Sequence, residues 1–518
     1  MSATIEKLTR RWGPGYRYIV TCTLMLGTMS ALLSSTIVNV AIPEVMGVFG
    51  IGQDRAQWLS TAFLAAMTGS MLLSSWALQR LGARFTYVTG MIAFGAASIL
   101  GGISPNENIL ILSRLFQGAA VGVIQPLTMV VMFQVFPPDQ RGRAMGLYAM
   151  GAVLGPAIGP ALGGWLIDEI GWRSVFFAGL PICAAAIPLG LVFAPGRDPD
   201  APPVRFDWAG LALLSLFLGF LLSWLSNGSR EGWGDAWIQT CLAIALLSGA
   251  GFLYWEMHTE EPLIDLRLFK FPGFSVISLI GFISGAGIFG STYLVPLFSQ
   301  VVQGMSPTDS GVLLMPAGLI LTMIFPLTGR LADLVPLRWP MMAGVMLFGI
   351  SVFLMGHADV NTPYATLVGW IILGRVGLAV IMPALNVAAL RSIPEALMSQ
   401  ASGSINFTRQ LGGAFGVNLI AILVESRTAF HSRSLTSTQT GENPATRELL
   451  DQLGRMLAAA GASPFEEPLL AMRYLGRTLY LQASSLAFQD GFLAVALLFT
   501  LALIPAWMIG WFDEPASS

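Results

Sequence analysis

Apolar residues run through this chain in long blocks separated by short polar connections. A helix needs about 20 apolar residues to cross the hydrocarbon core of a bilayer, and about fourteen blocks come near that length. The blocks fall near residues 18–42, 57–78, 84–103, 109–134, 144–167, 174–194, 208–226, 236–256, 274–299, 309–329, 340–356, 364–391, 401–424 and 489–511. The pattern predicts an all-α polytopic membrane protein. The first block is too long for a signal-peptide core, so we expect it to stay as the first helix.

The fifth block contains glycines at every fourth position. Its glycines and prolines are Gly151, Gly155, Pro156, Gly159, Pro160, Gly163 and Gly164. In water, glycine costs a helix about 1 kcal/mol against alanine, and proline about 3 kcal/mol. In a membrane, small residues at this spacing let neighbouring helices approach closely. The block therefore indicates a closely packed helix; a tight helix pair with no further role is the alternative.

Composition agrees with a lipid environment. The chain is 54% hydrophobic and 11% charged, with a mean hydropathy of +0.69, whereas soluble domains carry about 25% charged residues. The net charge of −2 and the lack of a basic, aromatic-rich patch give no indication of nucleic-acid binding. Cys22, Cys183 and Cys241 lie in apolar blocks and are expected to be small buried residues, without a disulfide framework or metal-ligand spacing. Neither a metal nor another cofactor is predicted.

Basic residues are distributed unequally between alternate connections. The N-terminus and the even-numbered connections contain Lys7, Arg10, Arg11, Arg17, Arg80, Arg84, Arg141, Arg143, Arg197, Arg205, Arg267 and Lys270. The short odd-numbered connections contain Arg55, Arg173 and Arg230. Because basic loops stay in the cytoplasm, both termini are predicted to be cytoplasmic.

A weak internal repeat relates the two parts of the chain. The fourth and twelfth blocks each contain an arginine and a proline, with a second proline eleven residues beyond the first: Arg114, Pro126 and then Pro137; Arg375, Pro383 and then Pro394. Parallel halves around a central pathway are common in secondary transporters. We expect a first six-helix bundle over residues 1–195, a linker with a two-helix hairpin over 196–272, and a second bundle over 273–518.

Polar and aromatic side chains inside the apolar blocks are candidates for the transport pathway. Arg114 is a cation in an apolar block: it either has a functional role, binding an anion or coupling to a protonated partner, or acts as a structural clasp on backbone carbonyls. Arg375 has the same functional and structural interpretations. Phe289 and Tyr293 either stack on an aromatic substrate or pack in the core. The amides are pathway or interhelical hydrogen-bond candidates: Asn39, Gln117, Gln125, Asn386 and Asn406.

Several motifs together point to one family. Besides the glycine run and its continuation Trp172-Arg173 and Phe176-Phe177, they are Thr36-Ile-Val-Asn39-Val-Ala-Ile-Pro43, Arg114-Leu-Phe-Gln117-Gly118, Glu261-Pro-Leu-Ile-Asp265-Leu-Arg-Leu-Phe269 and Arg409-Gln410-Leu-Gly412-Gly413. With them the chain resembles the major facilitator superfamily, in particular its fourteen-helix drug:proton antiporters of the EmrB/QacA type. The resemblance implies two six-helix bundles with two extra central helices, and a part in proton exchange for Arg114.

The chain departs from that family pattern at two places. Ser34 stands where the helix-one motif usually has an aspartate, and Ser75 and Gln79 stand where the gating motif usually has a glycine and an aspartate. Because a charge near the membrane centre costs at least about 2.5 kcal/mol, it is usually kept for function; here a titratable group is missing. The gating-motif residues that we expect to act are Gln79, Arg80, Gly82, Gly329, Arg330 and Asp333.

Residues 425–488 form an unusually long connection, predicted to be extracytoplasmic. Its Ser/Thr-rich first part up to Gly441 is expected to be flexible. Residues 446–457 have the periodicity of an amphipathic helix, and a further helix is expected from Pro468 into the last block. EmrB-like proteins have a comparable loop, which implies a periplasmic adaptor (an EmrA-like membrane fusion protein) and an outer-membrane channel as partners; an insertion lying on the membrane is the alternative.

Together these features predict an inner-membrane exporter of small amphipathic or aromatic compounds, driven by protons through alternating access. The alternative is a carrier driven by the charge of its substrate, or facilitated transport without the standard proton cycle. A channel is less favoured, because the glycine and proline helix indicates an element that must repack. An enzyme is also less favoured, because three scattered histidines, His258, His357 and His431, supply no catalytic cluster.

Overall fold

The chain folds almost entirely into helices. A computed structural model describes residues 2–51, 53–56, 58–197, 205–440, 442–459, 463 and 466–511, without the side chains of some helical residues, among them Asn39 and Pro160. No strand occurs in these ranges; of four short 3-10 helices, three lie between α-helices and one follows the last α-helix. The α-helices are α1 (Ser2–Trp12), α2 (Tyr16–Phe49), α3 (Gln53–Ala56), α4 (Trp58–Gly102), α5 (Glu107–Val135), α6 (Arg141–Ile170), α7 (Ser174–Phe177), α8 (Leu180–Phe193), α9 (Trp208–Glu231), α10 (Ala236–His258), α11 (Pro272–Val301), α12 (Pro307–Leu334), α13 (Arg338–Met355), α14 (Tyr364–Arg391), α15 (Met398–Thr438), α16 (Pro444–Ala459) and α17 (Glu467–Met508).

The helices agree with the predicted number of membrane crossings. In the described part, thirteen helical stretches are long and apolar enough to cross a membrane. One of them, α4, is interrupted at Gly82, whose φ of 79° and ψ of 162° are not helical. A side chain at Gly82 would also approach the backbone nitrogen of Arg197 to 2.5 Å, so glycine is required twice over. With this break, each of the fourteen predicted blocks lies on a helix.

Local sequence explains several helix starts. The side chain of Asn106 accepts a hydrogen bond from the backbone of Ile109 at the start of α5 (3.0 Å), and Asp235 does the same for Trp237 at the start of α10 (2.8 Å). Ser306 caps α12 through the backbone nitrogen of Asp309 (3.1 Å). Such caps satisfy donors that the first helical turn leaves free.

Two ends of the helix bundle are distinguished by their connections. The basic end carries the α4 break at Gly82, the starts of α6, α9, α11, α13 and α15, and the basic residues of the even-numbered connections. The opposite end carries the starts of α4, α5, α10, α12 and α14. We call α2 to α8 the first half and α11 to α15 with α17 the second half. The largest buried apolar cluster joins α5 and α6 to the second half and includes Phe133, Phe325 and Phe348.

The long connection near residue 425 differs from the sequence expectation. Helix α15 continues through the Ser/Thr-rich part to Thr438, so the predicted flexibility up to Gly441 is wrong for the described residues. At 41 residues α15 is about 62 Å long, about twice the thickness of the hydrocarbon core. Helices α16 and α17 confirm the two further helices, and α16 packs on α17. A helical hairpin therefore projects from the opposite end.

A second correction concerns the cysteines. Cys183 and Cys241 are buried as expected, whereas Cys22 on α2 is exposed. All three are free thiols. Cys22 lies within a stretch long and apolar enough to cross a membrane, so its exposure on the isolated chain is compatible with contact to lipid.

Candidate functional site

Arg114 is held in a sealed polar cluster in the first half. Its side chain is completely buried, with 0% of its surface exposed. Its Nε donates to the carbonyl of Leu59 (3.0 Å), and its Nη1 donates to the carbonyl (3.1 Å) and the Oγ (3.0 Å) of Ser34 and to Oε1 of Gln117 (2.8 Å). Gln117 Nε2 in turn donates to Ser98 Oγ (2.8 Å). The cluster thus ties α5 to α2 and to both segments of α4.

The partners of Arg114 are all neutral. Its guanidinium also lies over the ring of Phe63, 4.2 Å from the ring centre, and its Nη2 is buried without an acceptor in the described part of the chain. Ser34 supplies a hydroxyl where the family pattern has a carboxylate. The buried guanidinium is therefore stabilised by carbonyl and amide dipoles rather than by an opposite charge. In this conformation the geometry is that of a clasp.

Arg375 has a different environment from Arg114. It is half-buried between α14 and α11, and its Nη2 donates to Thr292 Oγ1 (3.1 Å). Tyr293, the next residue, has 37% of its surface exposed. Phe289 is half-buried, one turn away on α11, and its ring lies against Gly413 of α15. The sequence repeat therefore does not place the two arginines in equivalent surroundings.

Among the predicted amides, Asn406 is the one with a described contact to the opposite half. Gln125, Asn386 and Asn406 are buried, and Gln125 Oε1 and Asn386 Oδ1 have no hydrogen-bond partner in the described part. Asn406 Nδ2 donates to the carbonyl of Ser402 (2.9 Å) and lies 3.4 Å from the sulfur of Met129 on α5. The side chain of Asn39 is outside the described residues.

Sequence reasoning missed Arg409 and Tyr148 as site residues. Arg409 Nη2 donates to Asn406 Oδ1, and the Tyr148 hydroxyl of the first half lies against the same guanidinium. The Tyr148 hydroxyl also faces the backbone carbonyl of Gln125 (3.4 Å). The available signal was the Arg409-Gln410-Leu-Gly412-Gly413 motif, which marks the family without revealing which helices face it.

Contacts between the halves also cluster at the basic end. The carboxylate of Asp333 on α12 accepts hydrogen bonds from the backbone nitrogens of Gly142 (2.5 Å) and Arg143 (2.8 Å) at the start of α6, and lies 3.9 Å from Arg391. Gly329 lies one turn before Asp333, and a Cβ there would meet the carbonyl of Gly142 at 2.6 Å.

The matching contact on the other side of the bundle uses Gln79. Its Nε2 donates to Ser399 Oγ at the start of α15 (3.2 Å), and Ser75 Oγ lies 2.9 Å from the same hydroxyl. Each gating motif therefore reaches the start of a helix in the opposite half: a carboxylate at α6, an amide at α15. Arg80 and Arg330 are exposed beside these contacts.

The glycine face of α6 lies along α2. A Cβ at Gly155 would be 2.6 Å from the carbonyl oxygen of Met29, and one at Gly151 would be 2.6 Å from the side chain of Met25. Gly159 and Gly163 face Thr36 and Ile37 of α2 in the same way, and Thr36 Oγ1 donates to the carbonyl of Pro156 (3.3 Å). Gly164 is different, since nothing lies within 4 Å of its Cβ position.

Comparison with known proteins identifies the family to which this chain belongs. The family model described as Major Facilitator Superfamily matches residues 24–417, most of the chain. The chain belongs to the major facilitator superfamily. The Escherichia coli (strain K12) protein named multidrug export protein EmrB is 30% identical over 84% of this chain and 85% of its own. The Bacillus subtilis (strain 168) multidrug transporter protein MdtP is 29% identical over 81% of this chain and 78% of its own.

Solved structures give the same fold for this major facilitator protein. The human organic anion transporter MFSD10 matches with a TM-score of 0.62 at 13% identity, covering 95% of this chain and 99% of its own. The proton:xylose symporter XylE matches with a TM-score of 0.59 at 14% identity, covering 94% and 95%. The family and its relatives are transporters and not enzymes. The chain is accordingly a multi-pass membrane transporter, homologous to multidrug efflux proteins.

Proposed function

We propose that this transporter exports small amphipathic or aromatic compounds across the inner membrane by alternating access, with protons as the first candidate for the driving ion. The observation that carries the proposal is the double contact at the basic end, where Asp333 meets the start of α6 and Gln79 meets the start of α15. Contacts of this kind are few and polar, so they can break and re-form. They support a gate rather than a permanent seam.

The moving bodies in this proposal are the bundles of residues 1–195 and 273–518, with 196–272 as a linker and hairpin. Hydrogen bonds between the described parts of these bundles lie between the basic end and the level of Asn406. Opening at that end requires these bonds to be exchanged and the apolar contacts of α5 and α6 with the second half to separate. The glycine face of α6, packed directly on the backbone of α2, favours repacking of whole helices over a fixed pore.

A second candidate, a carrier driven by substrate charge, is favoured by one observation. The clasp around Arg114 contains no carboxylate among its described partners, and Ser34 occupies the position of the family's acid. Without an acid there, helix α2 has no group that takes up and releases a proton at this site. Arg114, Gln117 and Ser34 then act as a structural support for the pathway.

For orientation and partners, we propose that the basic end and both termini face the cytoplasm. The hairpin of α15, α16 and α17 then projects into the periplasm. Exposed apolar side chains along it, including Phe430, Met456 and Met472, support a contact with an EmrA-like periplasmic adaptor and, through it, an outer-membrane channel.

Reconstituted transport tests the proposal. The purified protein is placed in liposomes, and movement of a set of fluorescent aromatic compounds is followed under an imposed pH gradient and, separately, under a potassium diffusion potential. Acceleration by the pH gradient at zero potential supports proton coupling. Acceleration by the potential alone supports the substrate-charge carrier. Failure to move any compound above protein-free liposomes contradicts an exporter of this class.

A further inference from the structure

Arg409 lies near the middle of the membrane and between the two halves. It is eleven residues into α15, hence about 16 Å from the start of that helix, and the hydrocarbon core is about 30 Å thick. Its described neighbours are Asn406 on the same helix, Met382 on α14 and Tyr148 on α6 of the other half. The side chain is only half-buried, although it is surrounded by helices. It therefore faces the space between the halves.

No acidic side chain pairs with Arg409 among the residues that the structure describes. A guanidinium has five N–H donors, and the groups around this one are an amide oxygen, a phenol oxygen and, at 3.9 Å, a thioether sulfur. Glu44, Glu256 and Asp333 lie near the ends of their helices, and Asp490 pairs with Arg427, eighteen residues beyond Arg409 on α15. An unpaired positive charge at this depth is unfavourable, and an anion would relieve it.

The other two membrane arginines are less suited to meet a ligand. Arg114 is completely buried, and its Nε and Nη1 donate hydrogen bonds to Leu59, Ser34 and Gln117. Arg375 is also half-buried and eleven residues into its helix, but its hydrogen bond is to Thr292 within the second half. Arg409 combines partial exposure with a neighbour, Tyr148, in the first half. It also has an apolar neighbour surface, since Phe289 packs on Gly413, one helical turn further along α15.

We propose that Arg409 is the substrate-binding cation of the pathway, and that the substrates are amphipathic organic anions, such as aromatic carboxylates or sulfonates. Arg409 holds the acidic group, Tyr148 orients the guanidinium, and Phe289 supplies apolar contact. The inference rests on the proposed export function and names its substrate class. It also explains how export proceeds without an acid in α2, because a potential of 100 mV, negative inside, concentrates a monovalent anion about fiftyfold outside.

A charge series on one fluorophore tests this assignment. Dansylglycine is an anion, its methyl ester is neutral and dansylcadaverine is a cation. Binding of each is measured by fluorescence to the full chain in lipid nanodiscs, for wild type, Arg409→Gln, Arg409→Lys, Tyr148→Phe and the control Arg455→Gln on exposed α16. Transport of the same three probes is measured in liposomes.

We expect wild type to bind dansylglycine at least about tenfold more tightly than dansylcadaverine, because a tenfold difference in affinity is about what one hydrogen bond to a charged group contributes. Arg409→Gln should remove that preference while changing binding of the methyl ester less than about twofold. Arg409→Lys should retain part of it, and Tyr148→Phe should weaken dansylglycine only. Arg455→Gln should match wild type.

Two results would overturn the inference. One is an equal loss of affinity for all three probes in Arg409→Gln that Arg409→Lys does not restore, because that result indicates a purely structural role. The other is transport of the three probes without regard to charge, which leaves the export proposal standing. Absence of transport for every compound tested contradicts the export proposal itself.

Discussion

At the scale of single residues, three arginines inside the membrane-spanning part have three different environments. Arg114 is enclosed by oxygens of α2, α4 and α5, Arg375 shares one hydrogen bond with Thr292, and Arg409 faces the boundary between the halves. The number of acceptors around each guanidinium decides what its removal should do. Stability should suffer most at Arg114.

Arg114→Ala should lower the stability of the protein strongly. It removes the guanidinium hydrogen bonds to the carbonyls of Leu59 and Ser34 and to Oε1 of Gln117, and a hydrogen bond to a charged group is worth about 1.5–3 kcal/mol. Thermal unfolding of the purified protein, with membrane expression, measures the effect. Arg375→Ala is the matched control and should cost much less. Arg114→Lys should recover little, since an ammonium cannot match the fork of a guanidinium. A wild-type melting temperature for Arg114→Ala would refute the clasp.

Ser34→Asp should stabilise the protein at pH 8. The new carboxylate would face Arg114 Nη1, which now lies 3.0 Å from the serine hydroxyl, and hydrogen bonds to charged groups are worth about 1.5–3 kcal/mol. The gain requires an ionised carboxylate, so Ser34→Asn, which carries no charge, serves as the control and should not show it. If both variants behave alike at pH 8, the guanidinium does not reach position 34.

At the scale of helices, the glycine face of α6 decides how closely the first half packs. Gly155 and Gly159 touch α2, whereas Gly164 points to open space. Glycine at 155 and glycine at 164, nine residues apart on opposite faces of α6, should therefore differ in their tolerance of a side chain. This contrast supplies a test within a single helix.

Gly155→Ala should destabilise the protein, because its Cβ would be 2.6 Å from the carbonyl oxygen of Met29 and 2.9 Å from the nitrogen of Leu33. Overfilling a well-packed site costs about 1–3 kcal/mol. Gly164→Ala should be neutral or stabilising, since alanine favours a helix by about 1 kcal/mol. Thermal unfolding and transport at equal expression distinguish the two. Equal melting temperatures for the two variants would contradict packing of α6 on α2.

At the scale of the whole molecule, the two halves are fastened at the basic end and at the level of Arg409. Asp333 places a negative charge at the start of α6, where the helix dipole favours it. Gln79 occupies the corresponding place against α15 without a charge. Of the two contacts at the basic end, the charged one between Asp333 and α6 should therefore be stronger than the neutral one between Gln79 and α15.

Asp333→Asn should open the basic end more often. Losing a carboxylate at a helix start costs about 0.3–2 kcal/mol, which shifts the population of open molecules up to about thirtyfold. In a cysteine-free background, a cysteine placed at buried Ala401 near the start of α15 should react faster with N-ethylmaleimide in this variant. Glu260→Gln, an exposed acid at the same end, is the control. An unchanged rate in Asp333→Asn would exclude this contact as a gate.

Topology can be checked on the same background. A membrane-impermeant maleimide added to spheroplasts should label a cysteine at Ser437, near the end of projecting α15, but not one at Ser2 or Ser518. The native thiols must be replaced first, since Cys22 is exposed. Labelling at Ser2 but not at Ser437 would invert the proposed orientation.

Hydropathy and spacing along the chain determined the number of membrane crossings, the glycine face and the missing acid at Ser34. These features can be recognised from a single position or from a short stretch of residues. The crossings in particular follow from local sequence, because in lipid each spanning segment must satisfy its own backbone hydrogen bonds as a helix. Composition misjudged the Ser/Thr-rich end of α15, where small losses in helix propensity did not interrupt the helix. Packing alone decided that Arg114 is sealed, that Asp333 reaches α6, and that Arg409 meets Tyr148. Each of these contacts joins residues far apart in sequence. They depend on how whole helices are placed against one another, and no local sequence pattern encodes that placement.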